Sequence, residues 1–240
     1  MAIQERIIEH RDGDTAYEGL LVWDDSRSVP LPGVLVAHTI RGRTEFEDGK
    51  ARALAALGYA ALTIDLYGVA TRGSDIEIFR ELMNGLRADR PALQHQLLSW
   101  LTTGRQQSEI DADRVAAIGF CFGGLCVLDI ARTGADVAGV VSFHGIFSPP
   151  GNTTNNTIAA KVLALHGWDD PLATPDEAVA LAAELTSMGA DWQIHAYGNT
   201  LHAFTNPAAN DNDAGTVYNA SANRRSWAAM HDFLVEIFGE

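Results

Sequence analysis

Val115-Ala116-Ala117-Ile118-Gly119-Phe120-Cys121-Phe122-Gly123-Gly124 decides the reading of this 240-residue chain. A short apolar run ends in Gly119-x-Cys121-x-Gly123, the spacing of a nucleophile elbow with cysteine in the place usually held by serine. A nucleophile on a sharp strand-to-helix bend sits on a strained backbone, and the bend crowds neighbouring segments. Glycines two residues to either side remove the side chains that would collide. Residues 122–132 continue as a helix, so Cys121 falls at a helix N-terminus, where backbone amides and the dipole favour a thiolate. A glycine-rich turn around a buried cysteine is the structural alternative, and the rest of the chain decides between them.

Outward from the elbow, apolar runs alternate with helical stretches. Upstream, 3–10 and 15–23 read as strands around Asp12-Gly13-Asp14. The apolar strand 33–38 is followed by helix 46–57, which Gly58 ends, and by strand 59–64. A helical segment over 76–103, divided or kinked by Pro91, precedes strand 114–119. Downstream come strand 138–143, strand 161–166 with helix 175–188, and strand 192–197 with helix 223–238. Strands alternating with helices predict an α/β fold with a mostly parallel sheet covered on both faces. Two long connections, 65–75 and 198–222, break the rhythm, and loops of that size are often functional. No composition shift marks a linker, so residues 1–240 read as a single domain.

Hydrophobic residues make up 47% and charged residues 20%, the balance of a globular protein with one sizeable core. The net charge of −14 argues against a nucleic-acid or anionic-membrane partner, both of which need a basic surface. No run reaches membrane-spanning length and the N-terminus lacks a signal-like apolar segment. Cys121 and Cys126 are spaced poorly for a disulfide within a helix, and two cysteines alone make no metal site. The expectation is a cytoplasmic, reducing location for a monomer or small homo-oligomer.

In an open α/β sheet, functional groups gather at the carboxyl ends of strands. Strand 161–166 is followed by His166-Gly167-Trp168-Asp169-Asp170-Pro171, and strand 192–197 by a loop with His202-Ala203-Phe204. The chain order is therefore nucleophile, acid, histidine, with Cys121, Asp170 and His202 as the candidate catalytic set. His202 would serve as base and acid, and Asp170 would fix its tautomer and balance the imidazolium. Asp169 competes for the acid role; Asp170 is preferred because Pro171 holds it in an extended backbone. An oxyanion hole would use backbone N–H groups of Phe122 and Ile40, the latter from the loop after strand 33–38.

With these residues in place, the chain resembles the dienelactone hydrolase family of α/β-hydrolases with a cysteine nucleophile. The resemblance runs through Asp65-Leu66-Tyr67-Gly68, the elbow, Ser142-Phe143-His144-Gly145, the His166-Gly167 to Asp170 block and His202-Ala203-Phe204. It implies an α/β-hydrolase fold and hydrolysis of a small-molecule ester or lactone through an acyl-cysteine, with no metal or organic cofactor. Two departures accompany it. Where the family has a glutamate that helps activate the thiol, this chain has Thr39. Where the family has a carboxylate-binding arginine after the histidine, it has Asn206; the second family arginine corresponds to Arg80.

Arg80, Thr39, His144, Trp168 and Phe204 are the candidate substrate contacts. For His144 the alternative is a hydrogen-bonded structural histidine; for Trp168 and Phe204 it is core packing. His38 and His166 read as structural, and no helical H-x-x-x-H spacing suggests a metal. A low-turnover thiol-based binding or sensing protein is the alternative from another class, made thinkable by Thr39. A redox pair of Cys121 and Cys126 is disfavoured because the spacing is not C-x-x-C.

Overall fold

A computed structural model describes residues 2–239. The chain packs as two compact units, the first ending at Ala117 and the second beginning at Ile118. In the first unit, β1 (Ile3–Asp12) and β2 (Thr15–Asp24) form an antiparallel hairpin. β3 (Leu31–Ala37) pairs in parallel with β4 (Ala60–Thr63), and β4 pairs antiparallel with β2, giving the order β1-β2-β4-β3. All of β3 and β4 is buried. Strands covered on both faces lose alternation, which is why these two read as continuous apolar runs.

α1 (Glu45–Leu57) starts in a Thr44/Glu47 capping box and stops at Gly58, whose φ of 110° needs glycine. The predicted segment 76–103 is two helices, α2 (Ile76–Ala88) and α3 (Arg90–Arg105). Asp89 separates them, and its carboxylate accepts the Ala92 N–H at 3.1 Å. Pro91 falls in the first turn of α3, where its missing N–H costs nothing. Leu21, Val34, Leu35, Leu54, Leu62 and Trp100 are buried in this unit's core. Each such aliphatic side chain contributes about 1.5–3 kcal/mol by leaving water. The Trp100 indole also donates to the Asp65 carbonyl at 2.8 Å.

β5 (Ile110–Phe120) starts before the expected residue 114. Its polar stretch Asp111–Arg114 hides it from a hydrophobicity pattern, yet Ile110 is buried, and a Cβ on Gly33 would come 2.6 Å from its side chain.

In the second unit β6 (Gly139–Phe143), β7 (Lys161–Gly167) and β8 (Trp192–Tyr197) lie parallel in that order. α4 (Phe122–Arg132) packs on β6, α5 (Pro175–Ser187) on β8, and α6 (Ala220–Phe238) on β6 and β7. Every residue of α4 is buried, its apolar side chains together with the ion-paired Asp129 and Arg132. The connection 198–222 is more ordered than its composition suggests. It holds a two-stranded hairpin, β9 (Asn210–Asp211) with β10 (Thr216–Val217), and then Asn219, which caps α6 by accepting the Ser221 and Ala222 amides at 3.1 Å.

Candidate active site

Cys121 joins β5 to α4 at φ 58° and ψ −113°. That conformation is close to glycine-only, and a residue held there stores on the order of 1–3 kcal/mol of strain. Neighbouring glycines make the bend feasible. A Cβ on Gly119 would lie 2.0 Å from the Gly123 carbonyl oxygen, and one on Gly124 would lie 2.6 Å from the Gly145 Cα. The Cys121 amide donates to the Phe143 carbonyl at 3.0 Å, tying the elbow to the end of β6. Cys121 is half-buried and forms the N-cap of α4, with Phe122 as the first helical residue.

Two loops bring the acid to the histidine. A Cβ on Gly167 would lie 2.6 Å from the Thr200 carbonyl oxygen and 2.7 Å from that of Leu201, so glycine lets the 200–201 backbone close on the end of β7. Asp169 and Thr200 then lock the loops reciprocally: the Asp169 amide donates to the Thr200 carbonyl at 3.0 Å, and the Thr200 amide to Asp169 Oδ2 at 3.1 Å. That leaves Asp170, which is buried and accepts from His202 Nδ1 at 2.7 Å through Oδ2. Its Oδ1 accepts the Leu172 amide at 2.8 Å. Of the two adjacent aspartates, one fastens the loops and the other meets the imidazole.

The β9–β10 hairpin supports His202 from the far side. The His202 amide donates to the Gly215 carbonyl at 2.9 Å, and the Val217 amide donates to the His202 carbonyl at 3.0 Å. Gly215 has a φ of 66°, and a Cβ there would come 2.3 Å from Pro171 Cγ, so this turn backs directly onto the acid loop. Sequence reasoning missed Gly215; the Asp213-Ala214-Gly215 turn was its one visible signal.

Burial alone would push the imidazole of His202 down. It is overcome by the negative charge of Cys121, by hydrogen bonds to Asp170 and Cys121, and by the Asp170 charge, which together raise it from 6.5 to about 10. The imidazole is thus held well above its usual range by the Cys121 sulfur and by Asp170. A cysteine and a histidine so paired are chemically capable of holding a nucleophile ready and a proton available to a leaving group. His166, wholly buried, is driven the other way: desolvation lowers it, against the charge of Asp170.

Other candidates fall in varied places. His144 is buried, with Nε2 hydrogen-bonded to Thr205 Oγ1 at 2.8 Å and its ring 5.1 Å from that of His202. Phe204 is fully buried against His144 and Tyr197, whereas Trp168 is 42% exposed beside the acid loop. Arg80 lies on the exposed face of α2 in an ion pair with Glu77. Asn206 turns inward on its own loop, accepting the Ala208 amide at 3.0 Å.

In the first unit, Thr39 and Ile40 follow β3 in a loop held by the buried Glu47. Glu47 Oε1 accepts the Thr39 amide at 3.0 Å, and Oε2 accepts from the Thr44 amide at 2.9 Å and hydroxyl at 2.7 Å. His38 braces the same loop. Its Nδ1 lies 2.6 Å from the Thr39 carbonyl oxygen and its Nε2 accepts the Leu66 amide at 3.1 Å, which assigns the ring proton to Nδ1.

A family model described as the dienelactone hydrolase family matches residues 18–238. The chain belongs to the dienelactone hydrolase family. It has the α/β-hydrolase fold, a mostly parallel sheet flanked by helices, and it is a hydrolase of ester or lactone bonds. A solved structure titled m3DLH is 40% identical with a TM-score of 0.92, covering 99% of this chain and 100% of that one. A dienelactone hydrolase-like promiscuous phosphotriesterase from metagenomic libraries is 36% identical, also with a TM-score of 0.92, covering 99% of each chain. Among curated relatives, a Yersinia pestis protein named "Putative carboxymethylenebutenolidase" is 26% identical over 222 residues, 88% of this chain and 80% of that protein. Among the described residues no helix is long and apolar enough to cross a membrane.

Proposed function

We propose that this dienelactone hydrolase family member cleaves small esters or lactones through a Cys121–His202–Asp170 triad and an acyl-cysteine intermediate. The observation that carries the reading is the His202 imidazole, bonded at 2.7 Å to Asp170 on one side and raised by the charge of Cys121 on the other. The Cys121 sulfur attacks the carbonyl carbon, forming a C–S bond. As the C–O bond to the alcohol breaks, His202 gives its proton to the departing oxygen. Neutral His202 then takes a proton from water as that water attacks the thioester. The new C–O bond displaces the thiolate, which re-forms its pair with protonated His202, and the carboxylic acid leaves. Asp170 holds Nδ1 throughout.

The Phe122 amide, at the start of α4, is the first oxyanion donor. The Ile40 amide is the second, assigned from its place in the loop after β3. Residues 1–240 act as one catalytic module, a reading supported by the family match across most of the chain. A cytoplasmic location belongs to the same reading, because a working thiol needs reducing surroundings.

Neutral esters or lactones suit this chain better than acidic ones. Arg80 is engaged with Glu77, and Asn206 offers no charge. The test is a burst experiment with stoichiometric enzyme on a chromogenic aryl ester, followed by a panel of neutral and acidic lactones. Because one similar protein carries phosphotriesterase in its title, a phosphotriester joins the panel. Steady turnover after the burst is expected, with neutral substrates preferred and no change in that preference in Arg80→Ala. Release of one equivalent followed by arrest would overturn the hydrolytic cycle.

A further inference from the structure

A single hydrogen bond to Asp170 fixes one atom of the His202 ring. It does not fix the tilt, because the terminal torsion of histidine is broad and the ring can rock about that contact. Something must hold the opposite edge if Nε2 is to stay on the sulfur. The residues that do so come from just beyond β6 and from the histidine loop itself.

His144 is 1% exposed and stands at φ 37°, a left-handed conformation uncommon outside glycine. Its amide donates to the Leu165 carbonyl at 2.8 Å, anchoring it between the ends of β6 and β7. Its ring meets His202 edge to face, with centroids 5.1 Å apart and planes at 68°. Phe204 closes the other side at 5.1 Å and 80°. Nε2 of His144 is bonded at 2.8 Å to the hydroxyl of Thr205, which is itself buried. Thr205 lies three residues after His202, beyond Ala203 at φ 58°. The bond thus closes a short loop: His202 to Thr205 along the chain, Thr205 to His144 by hydrogen bond, and His144 back onto the His202 ring.

We propose that His144 and Thr205 are positioning residues that set the tilt of the His202 imidazole toward Cys121. This rests on the triad reading above. Neither touches the reacting atoms, and both act through His202. The threonine hydroxyl does what packing alone would not, since it ties the stacking ring to the same loop as the ring it orients.

Thr205→Val keeps the shape and removes only the oxygen, while His144→Phe keeps a ring and removes the bond. Each is expected to lower kcat on a chromogenic ester about tenfold with KM little changed, the signature of misplacement rather than lost binding. The double variant is expected to be no worse than either single one, because both break the same link. Thr205→Ser is expected to rescue most of the loss. A second readout is the pH profile of Cys121 alkylation by iodoacetamide, whose midpoint should move upward in both single variants. Asp170, bonded to His202, and His166, whose titration feels both Asp170 and His202, stay in place in each single variant.

Unchanged kcat and an unchanged alkylation profile in Thr205→Val would overturn the clamp. A fall in melting temperature without either kinetic change would do the same, since it would show a merely structural role. Failure of the triad itself looks different: alkylation of Cys121 in the wild type would then leave turnover intact.

Discussion

The second unit buries two charged assemblies, and they are built on opposite terms. Arg132, wholly buried on α4, is saturated: Nε and Nη2 donate to the two oxygens of Glu184 at 2.9 and 2.7 Å. Nη2 also reaches the Phe147 carbonyl at 3.0 Å, and Nη1 reaches Asp129 and the Ser148 carbonyl at 3.4 Å each. Its residues sit on regular helices. His202 and Asp170 are buried as well, yet Nε2 of His202 finds no oxygen or nitrogen partner and is left to the sulfur of the half-buried Cys121. Three of its backbone positions, Cys121, His144 and Ala203, have positive φ without being glycine. One cluster spends its charges on holding the fold; the other keeps a charge uncommitted and strain in place, which is what chemistry requires.

The contrast breaks most visibly at its strained end. Cys121→Gly removes the proposed nucleophile and suits the backbone. Turnover is expected to fall by on the order of 10⁴-fold or more. Stability should hold or rise by up to about 2 kcal/mol, the strain relieved less the added freedom of glycine. Ester assays with chemical denaturation check both; a less stable variant would mean that the elbow is not strained.

Arg132→Met tests the opposite end. It leaves Asp129 and Glu184 facing an apolar side chain, and breaking a buried pair in this way costs about 3–5 kcal/mol. Thermal unfolding should show a melting temperature lower by roughly 10 °C, while turnover per folded molecule at 25 °C is largely kept. Lost activity with intact stability would erase the distinction between the clusters.

The third effect is electrostatic. Because the folded His202 is raised to about 10 from 6.5, the stability its proton supplies is complete below about 6.5 and is lost as pH climbs through about 10. The stability gap between wild type and His202→Gln is therefore expected to narrow over that window in denaturation curves at stepped pH. A gap that widens with pH would reverse the assignment of charge to the imidazole.

What could be read in the chain follows from how local each signal is. The elbow was legible because its glycines are required by contacts within a pentapeptide. The parallel strands were legible because burial on both faces leaves unbroken apolar runs. The pairing of Asp170 with His202 was legible from their order after strands. The Arg132–Glu184 pair was not, because a lone charge on a helix looks solvated until its partner, 52 positions away, is known. The β9–β10 hairpin was hidden because two-residue strands have no period. Ile110 was hidden behind the polar start of β5. Thr205 had no signal of its own, since its meaning lies in a contact with His144, 61 positions earlier.

The central claim is that the sulfur of Cys121 carries the acyl group, and it can be read directly. Wild-type enzyme is mixed with excess aryl ester, quenched in acid within milliseconds, digested and mapped by mass spectrometry. An acyl increment is expected on the peptide containing Cys121, lost on treatment with hydroxylamine and longer-lived in His202→Ala. Steady turnover with that peptide unmodified at every quench time, or an acyl group on another side chain, would contradict it.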